Sequence, residues 1–188
     1  MFKKISIVMI VALLATMSVF AASMQIGVTG RFGGSDITAF EDYKNPENYR
    51  YGGDVRFNFG VLNLSGKALF GSVNENNTEI IGSIIGNFRV DMGLIDLSLG
   101  AGYELRFEIG AEGIIIDGEY INQAIDVFNR STLFGHAGVG INLGNLGVAV
   151  DYHLTYDSIM KMVNDYDNVG IEPLKEGWVS LSVLCKVF

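Results

Sequence analysis

Apolar and polar residues alternate along most of this chain. In YGGDVRFNF, Tyr51, Gly53, Val55, Phe57 and Phe59 fall on one face, and Gly52, Asp54, Arg56 and Asn58 on the other. In IDLSLGAGYELRFEI, Ile95, Leu97, Leu99, Ala101, Tyr103, Leu105, Phe107 and Ile109 oppose Asp96, Ser98, Glu104, Arg106 and Glu108. LGVAVDYHLTY does the same, with Asp151 and His153 on its polar side. A period of two over this many residues is a β-strand with one apolar face. Eight such segments are predicted, at about 24–32, 51–59, 62–72, 80–92, 95–109, 131–143, 146–157 and 177–188. No helical period competes, apart from a short piece near Tyr120–Phe128.

Three copies of one phrase join these strands in pairs. NFGVLN, DMGLID and NLGNLG each place a Gly-x pair between two apolar residues: Gly60-Val61, Gly93-Leu94 and Gly144-Asn145. Gly in the first position of a two-residue loop suits a type II′ hairpin, which needs φ > 0 there. A two-residue loop also keeps both apolar faces on one side. The remaining connections, 33–50, 73–79, 110–130 and 158–176, are long. Short and long connections alternate, so the short turns gather at one end and the long loops at the other. In the third long loop, the apolar Ile114, Ile115, Ile116, Tyr120 and Ile121 suggest that the sheet extends above the barrel, with Asp117-Gly118 as a hairpin turn.

Alternation does not say which face is inside. A soluble barrel of the lipocalin type turns the apolar face inward, and a membrane barrel inverts this. Three features favour inversion. The polar face carries Gly27, Gly52, Gly100, Gly102, Gly138 and Gly140, which suit a lumen barely wide enough for side chains. The apolar face has aromatics near strand ends, including Phe32, Tyr51, Phe70, Phe107 and Tyr156, as an interfacial girdle would. The strand number is even and the loops are unequal. Together these predict an all-β fold, an eight-stranded antiparallel up-and-down transmembrane β-barrel with short periplasmic turns and long extracellular loops.

The N-terminus adds a compartment. Lys3 and Lys4 precede an apolar run from Ile5 to Phe20, followed by Ala21. That is the layout of an export signal, too short to span a bilayer comfortably. Residues 1–21 are therefore predicted to be a cleaved signal peptide, and 22–188 a single barrel domain in the outer membrane. The lone Cys185 excludes an intrachain disulfide. A mean hydropathy of +0.31 is high for a secreted soluble protein.

Charge is divided unevenly. The strands, with Arg130, hold seven acids and seven bases; the long loops hold fourteen acids and four bases, a net −10. A narrow lumen needs its charges paired. The predicted lumen network comprises Asp54, Arg56, Lys67, Arg89, Glu104, Arg106, Glu108, His136, Asp151 and His153. Around Gly60-Val61, Asp54 faces Lys67, and Arg106 lies between Glu104 and Glu108 on one face. Around Gly144-Asn145, the two histidines of the chain, His136 and His153, face each other. A transition-metal site there would need a third ligand, for which Asp151 is the candidate; a hydrogen-bonded pair needs none. Neither metal nor cofactor is expected. No Walker loop, HExxH, CxxC or GxSxG motif is present, and the net charge of −8 argues against nucleic acid as partner.

In layout, the chain resembles the small eight-stranded outer-membrane β-barrels, the group that includes the OmpA membrane domain, OmpX and OmpW. The resemblance covers essentially all of 22–188. At residue level it rests on the end, LSVLCKVF. Such proteins typically end in Phe, read by the barrel-assembly machinery, so the resemblance implies Phe188 as the insertion signal. One departure is that Phe188 falls out of phase with Val179, Leu181, Val183, Cys185 and Val187; a bulge would reconcile them. No cell-wall-binding domain is expected after the barrel. The resemblance implies outer-membrane lipid as partner.

The leading expectation is a non-enzymatic surface protein with a plugged lumen and acidic loops that meet an extracellular partner. The alternative implied by OmpW is a conduit for small hydrophobic molecules, lined by Leu69, Ile81, Ile85, Phe134 and Leu184. Lipid-modifying enzymes also occur on this fold, some with a His, a hydroxyl residue and an acid. DYHLTYDS offers His153, Thr155 and Asp157, but alternation points all three at the lumen, away from lipid.

Overall fold

The computed structural model describes residues 23–33, 36–72, 78–110, 113–116, 119–120 and 131–188. Ten strands form a single sheet: β1 (Ser23–Phe32), β2 (Tyr49–Phe59), β3 (Leu62–Ser72), β4 (Thr78–Asp91), β5 (Ile95–Gly110), β6 (Gly113–Ile116), β7 (Glu119–Tyr120), β8 (Thr132–Leu143), β9 (Leu146–Thr155) and β10 (Trp178–Lys186). Eight of them close a ring. β1 pairs with both β2 and β10, β4 with β5, and β5 with β8, all antiparallel. β6 and β7 continue from the upper part of β5 as a short extension. Ile116 pairs with Glu119; the expected Asp117-Gly118 turn between them lies outside the described residues. So do the expected leader at 1–21 and all but Tyr120 of the helical piece at Tyr120–Phe128.

Turn chemistry sets the register. Phe59 pairs with Leu62, Asp91 with Asp96, and Leu143 with Leu146. Gly60, Gly93 and Gly144 all have positive φ, at 69°, 88° and 69°. A side chain at these positions would strain the backbone, which is why the repeated phrase carries Gly there. The registers that follow bring Asp54 opposite Lys67 and His136 opposite His153.

The strands are tilted. Stepping across pairs from Ser23 through Asn58, Asn63, Asn87, Gly100, His136 and His153 to Trp178 returns to β1 just past Phe32, a stagger of about ten residues, as closure of a small barrel requires. This stagger places residues that are distant in register side by side in the lumen.

Apolar residues face out. Val28, Ile84, Phe88, Leu99, Ile141 and Val183 are all exposed on the wall, Leu99 at 67%. The inner face is closed, with Asp54, Ser182 and Ile85 at 0%. The inward glycines make room for large neighbours. A Cβ on Gly102 would lie 2.5 Å from the Phe134 ring, and one on Gly138 would lie 2.6 Å from both Asp151 Oδ1 and Ser98 Oγ.

Three expectations need correction, and a fourth, the bulge at the end of β10, is met. The strand expected at 146–157 stops at Thr155, whose side chain accepts from the Ser158 N–H and caps α1 (Tyr156–Asn164). Asp157 therefore lies exposed on a helix rather than in the lumen. Phe32 is not an open girdle residue: it is buried, with the Tyr43 ring stacked on it at 4.2 Å. Arg50 and Glu79, expected in loops, belong to the wall, because β2 and β4 begin earlier than the alternation indicates. At the end of β10, Val187 N–H donates to Met24 O, and Met24 N–H donates to Phe188 O. One residue faces two, which is a bulge, so Val187 and Phe188 are both exposed despite adjacent phases.

Candidate functional site

The lumen is the only region where charged side chains are concentrated and buried among the described residues, and it is organised in tiers. The middle tier centres on Asp151 of β9. Its Oδ2 accepts from Lys67 Nζ at 2.7 Å and from Arg56 Nη2 at 2.8 Å. Arg56 also holds Asp54 Oδ2 at 2.8 Å, and Ser182 Oγ donates to the same oxygen at 2.9 Å. Two acids and two bases thus form a neutral quartet in which every member is buried. Lys67, although opposite Asp54 in register, lies 3.9 Å from it and makes its short contact across the lumen. Strand tilt is the reason: a long side chain reaches the staggered residue rather than its ladder partner.

The histidines sit beside this quartet. Their rings are 4.9 Å apart at 62°. His153 Nε2 lies 2.9 Å from Ser180 Oγ, and His136 Nε2 lies 3.1 Å from Ser98 Oγ and 3.7 Å from Asp151 Oδ1. Among the described residues, no three His, Cys, Asp or Glu side chains are arranged to hold a metal ion. His153, Thr155 and Asp157 are not gathered either, since Thr155 caps α1 and Asp157 faces solvent on it.

Above the histidines lies an apolar cluster of Ile85, Phe134 and Trp178. Trp178 stacks on His153, 5.4 Å between centroids, while the Arg31 guanidinium lies over Trp178 at 4.2 Å. Leu69, Ile81 and Leu184 are also buried on the inner phase.

The upper tier is a chain of ion pairs. Arg31 bonds Glu104 at 2.6 Å, Glu104 bonds Arg106 at 2.9 Å, Arg106 reaches Glu79 at 3.3 Å, and Glu79 bonds Arg50 at 2.5 Å. Arg106 is half exposed at the mouth, and Glu108 stands half-buried beside it. The lower tier, at the turn end, is mostly amide. Asn87 donates to Asn63, Asn63 to Asn58, and Arg89 to both Asn58 and Asp96; Asn142 also donates to Asp96. A cavity of about 10 Å³ lies between this tier and Arg56, room for about one water molecule.

No family model matches the chain, and no curated protein does. Solved structures do. The N-terminal β-barrel domain of Pseudomonas aeruginosa OprF superposes with a TM-score of 0.51 at 13% identity, over 88% of this chain and 98% of that one. The fold is that of the small outer-membrane β-barrels. Ail, the attachment invasion locus protein of Yersinia pestis, aligns at 16% identity over 87% of this chain and 94% of that one, with a TM-score of 0.42. At such identities the likeness concerns the fold alone, and the lumen of this barrel must be read from its own residues.

Of the residues expected in the lumen, Asp54, Arg56, Lys67, Glu104, His136, Asp151 and His153 are buried, Arg89 is nearly so in the lower tier, and Arg106 and Glu108 stand at the mouth. Sequence reasoning missed Arg31, Trp178, Glu79 and Arg50. Arg31, Trp178 and Arg50 meet their partners on strands that no short turn joins to their own, whereas Glu79 lies diagonal to Arg106 in the Gly93 hairpin and was missed because it was expected in a loop. It also missed the asparagines, for which a signal existed: Asn58 and Asn63 face each other one step from the Gly60 turn.

Proposed function

We propose that this chain is an outer-membrane barrel whose lumen is a closed strut and whose work is done by its extracellular surface. The observation that carries this reading is the inversion of the wall: charge and amide inside, isoleucine, leucine and phenylalanine outside. An exposed apolar band around a whole barrel needs a lipid solvent. The quartet around Asp151 supports the closed state, because displacing any member leaves buried charge unpaired.

No step of chemistry is assigned to the barrel. The Ser–His contacts lie in its sealed middle, where Ser180 and His153 are 1% and 2% exposed. The long loops retain their excess of acids, and an extracellular partner with basic character fits them better than an anionic one.

A conduit for small hydrophobic molecules draws support from the apolar cluster alone. Its side chains are packed against each other, and charged tiers stand above and below. Passage would require both tiers to part.

Trypsin treatment of intact cells tests the orientation. Lys44 and Lys161 are exposed in the first and last loops. Cleavage there from outside is expected. Protection in intact cells, with cleavage only after permeabilisation while an outer-membrane control is cut, would overturn the reading.

A further inference from the structure

α1 does not sit over the barrel mouth. Ile159 lies against the outer wall: a Cβ on Gly135 would come within 2.8 Å of Ile159 Cδ1. Gly135 belongs to the outward row of β8, with the exposed Leu133 and Val139 on either side. The helix packs on β8 and β9, and Leu154, paired with Gly135 on that outward row, is only 5% exposed.

The helix has three faces. Tyr156, Ile159, Met160 and Val163 recur at the spacing of a single apolar stripe. Asp157, Lys161 and Asn164 lie together on an exposed polar face. Ser158 is turned into the rim, where its hydroxyl donates to Glu176 Oε2 at 2.8 Å. Two faces are therefore accounted for, by water and by the rim. The apolar stripe is not: Tyr156 and Val163 remain 48% and 71% exposed at its ends.

Depth decides what meets that stripe. From Leu143, at the Gly144 turn, up to Gly135 is a rise of roughly 8 residues, close to the ~9–11 that cross a bilayer in a tilted strand. The contact with Ile159 is thus at the upper edge of the apolar band and continuous with it. A helix at that height, with an apolar stripe beside the wall and a charged face away from it, has the geometry of an in-plane interfacial helix.

We infer that α1 is a lipid-contacting helix, lying in the plane of the outer-leaflet interface with Tyr156, Met160 and Val163 in the acyl–headgroup boundary. The inference rests on the membrane reading above. It gives the last long loop a fixed attachment on the flank of the barrel. It also makes that flank, between β8 and β9, wider than the rest at the lipid surface. Lysines do not define the contact, since Lys161 and Lys175 are already paired with Glu176 and Glu172.

Spin labels test this on the full-length protein in dioleoylphosphatidylcholine vesicles. Single cysteines replace Val163, Asn164 or Leu99 in a Cys185→Ser background, and collision with oxygen is compared with collision with a water-soluble nickel chelate. Val163→Cys should resemble Leu99→Cys, with oxygen access several-fold above nickel access, while Asn164→Cys shows the reverse. Nickel-dominated access at both 163 and 164, with Leu99 still in lipid, would overturn the helix inference alone. Access to neither reagent at 163 would also overturn it, and would point to a protein covering the stripe. Nickel-dominated access at Leu99 would instead remove the membrane reading on which the inference stands.

Discussion

Ile84 and Ile85 are neighbours in β4 with identical side chains and opposite surroundings. Ile84 is 65% exposed on the outer wall, and Ile85 is wholly enclosed against Phe134 and Trp178. In a water-soluble barrel the first would be a liability. Here the outer wall is apolar over its whole height, and the inner wall holds the ion pairs. The difference teaches that hydrophobicity does not choose the side in this chain. Phase within the strand does, and the surroundings on each side set what each phase carries. The inner wall is packed and its buried charges are paired, although Asp54 Oδ1 and Asp151 Oδ1 accept no hydrogen bond, so it is sensitive to any loss. The outer wall is a solvent boundary, tolerant of shape but not of charge.

The largest break in this contrast comes from the inner wall. Asp151→Ala leaves Arg56 and Lys67 with only Asp54 between them. Removing one partner of a buried pair costs about 3–5 kcal/mol, and urea unfolding in detergent micelles should show a loss of that order. An unchanged midpoint would mean that the quartet is hydrated and carries no structural weight.

Truncating the two isoleucines compares the walls directly. Ile85→Ala removes atoms from a filled core and should cost about 2–5 kcal/mol. Ile84→Ala should cost far less, because lipid fills the space left behind. Equal losses in the same unfolding assay would contradict the division into packed and solvated walls.

Charge on the outer wall sharpens the contrast from the other side. Leu99 lies near mid-height of the band, and Leu99→Arg should destabilise the barrel in bilayers by about 2–4 kcal/mol. In a water-soluble barrel the same change would be neutral. Refolding equilibria in phosphatidylcholine vesicles measure it.

How much of this was legible in the sequence depended on how far each contact reaches. Asp54 opposite Lys67 and His136 opposite His153 follow from alternation and a glycine turn, both local. The Lys67–Asp151 bond does not, because it crosses the lumen and depends on tilt. Arg31, Glu104 and Trp178 come from three separated strands, and no pairwise register brings them together. The helix at Tyr156–Asn164 was hidden for another reason. The alternation of β9 runs on through Tyr156, masking both the cap at Thr155 and the stripe that begins there. Phe32 has the right phase for a girdle, but the fold of the first loop over it is set by Tyr43 and Tyr49, which alternation cannot place.

The smallest expected effect lies outside both walls. In the first loop, Asp36 Oδ1 accepts from the Thr38 hydroxyl at 2.6 Å and from its N–H at 2.7 Å. These bonds to the charged form lower the Asp36 pKa below the ordinary aspartate range. Any stability this adds is present above the unfolded value of ~3.9 and is lost as pH falls through the lower folded value. Exchange of the Thr38 amide, corrected for intrinsic rate, should therefore not change between neutral pH and mild acid. Loss of protection well above the aspartate range would contradict the assignment. Asp36 and Thr38 bond to each other and to Asp42 rather than to the quartet around Asp151, which should not register the change.

The central claim is that the lumen is a closed, ion-paired strut. Planar lipid bilayers test it most directly. Purified protein, shown by urea unfolding to be folded, should insert without reproducible single-channel steps in molar potassium chloride. Regular conductance steps from the unaltered chain, especially steps blocked by a small hydrophobic solute, would contradict the strut and establish a conduit in its place.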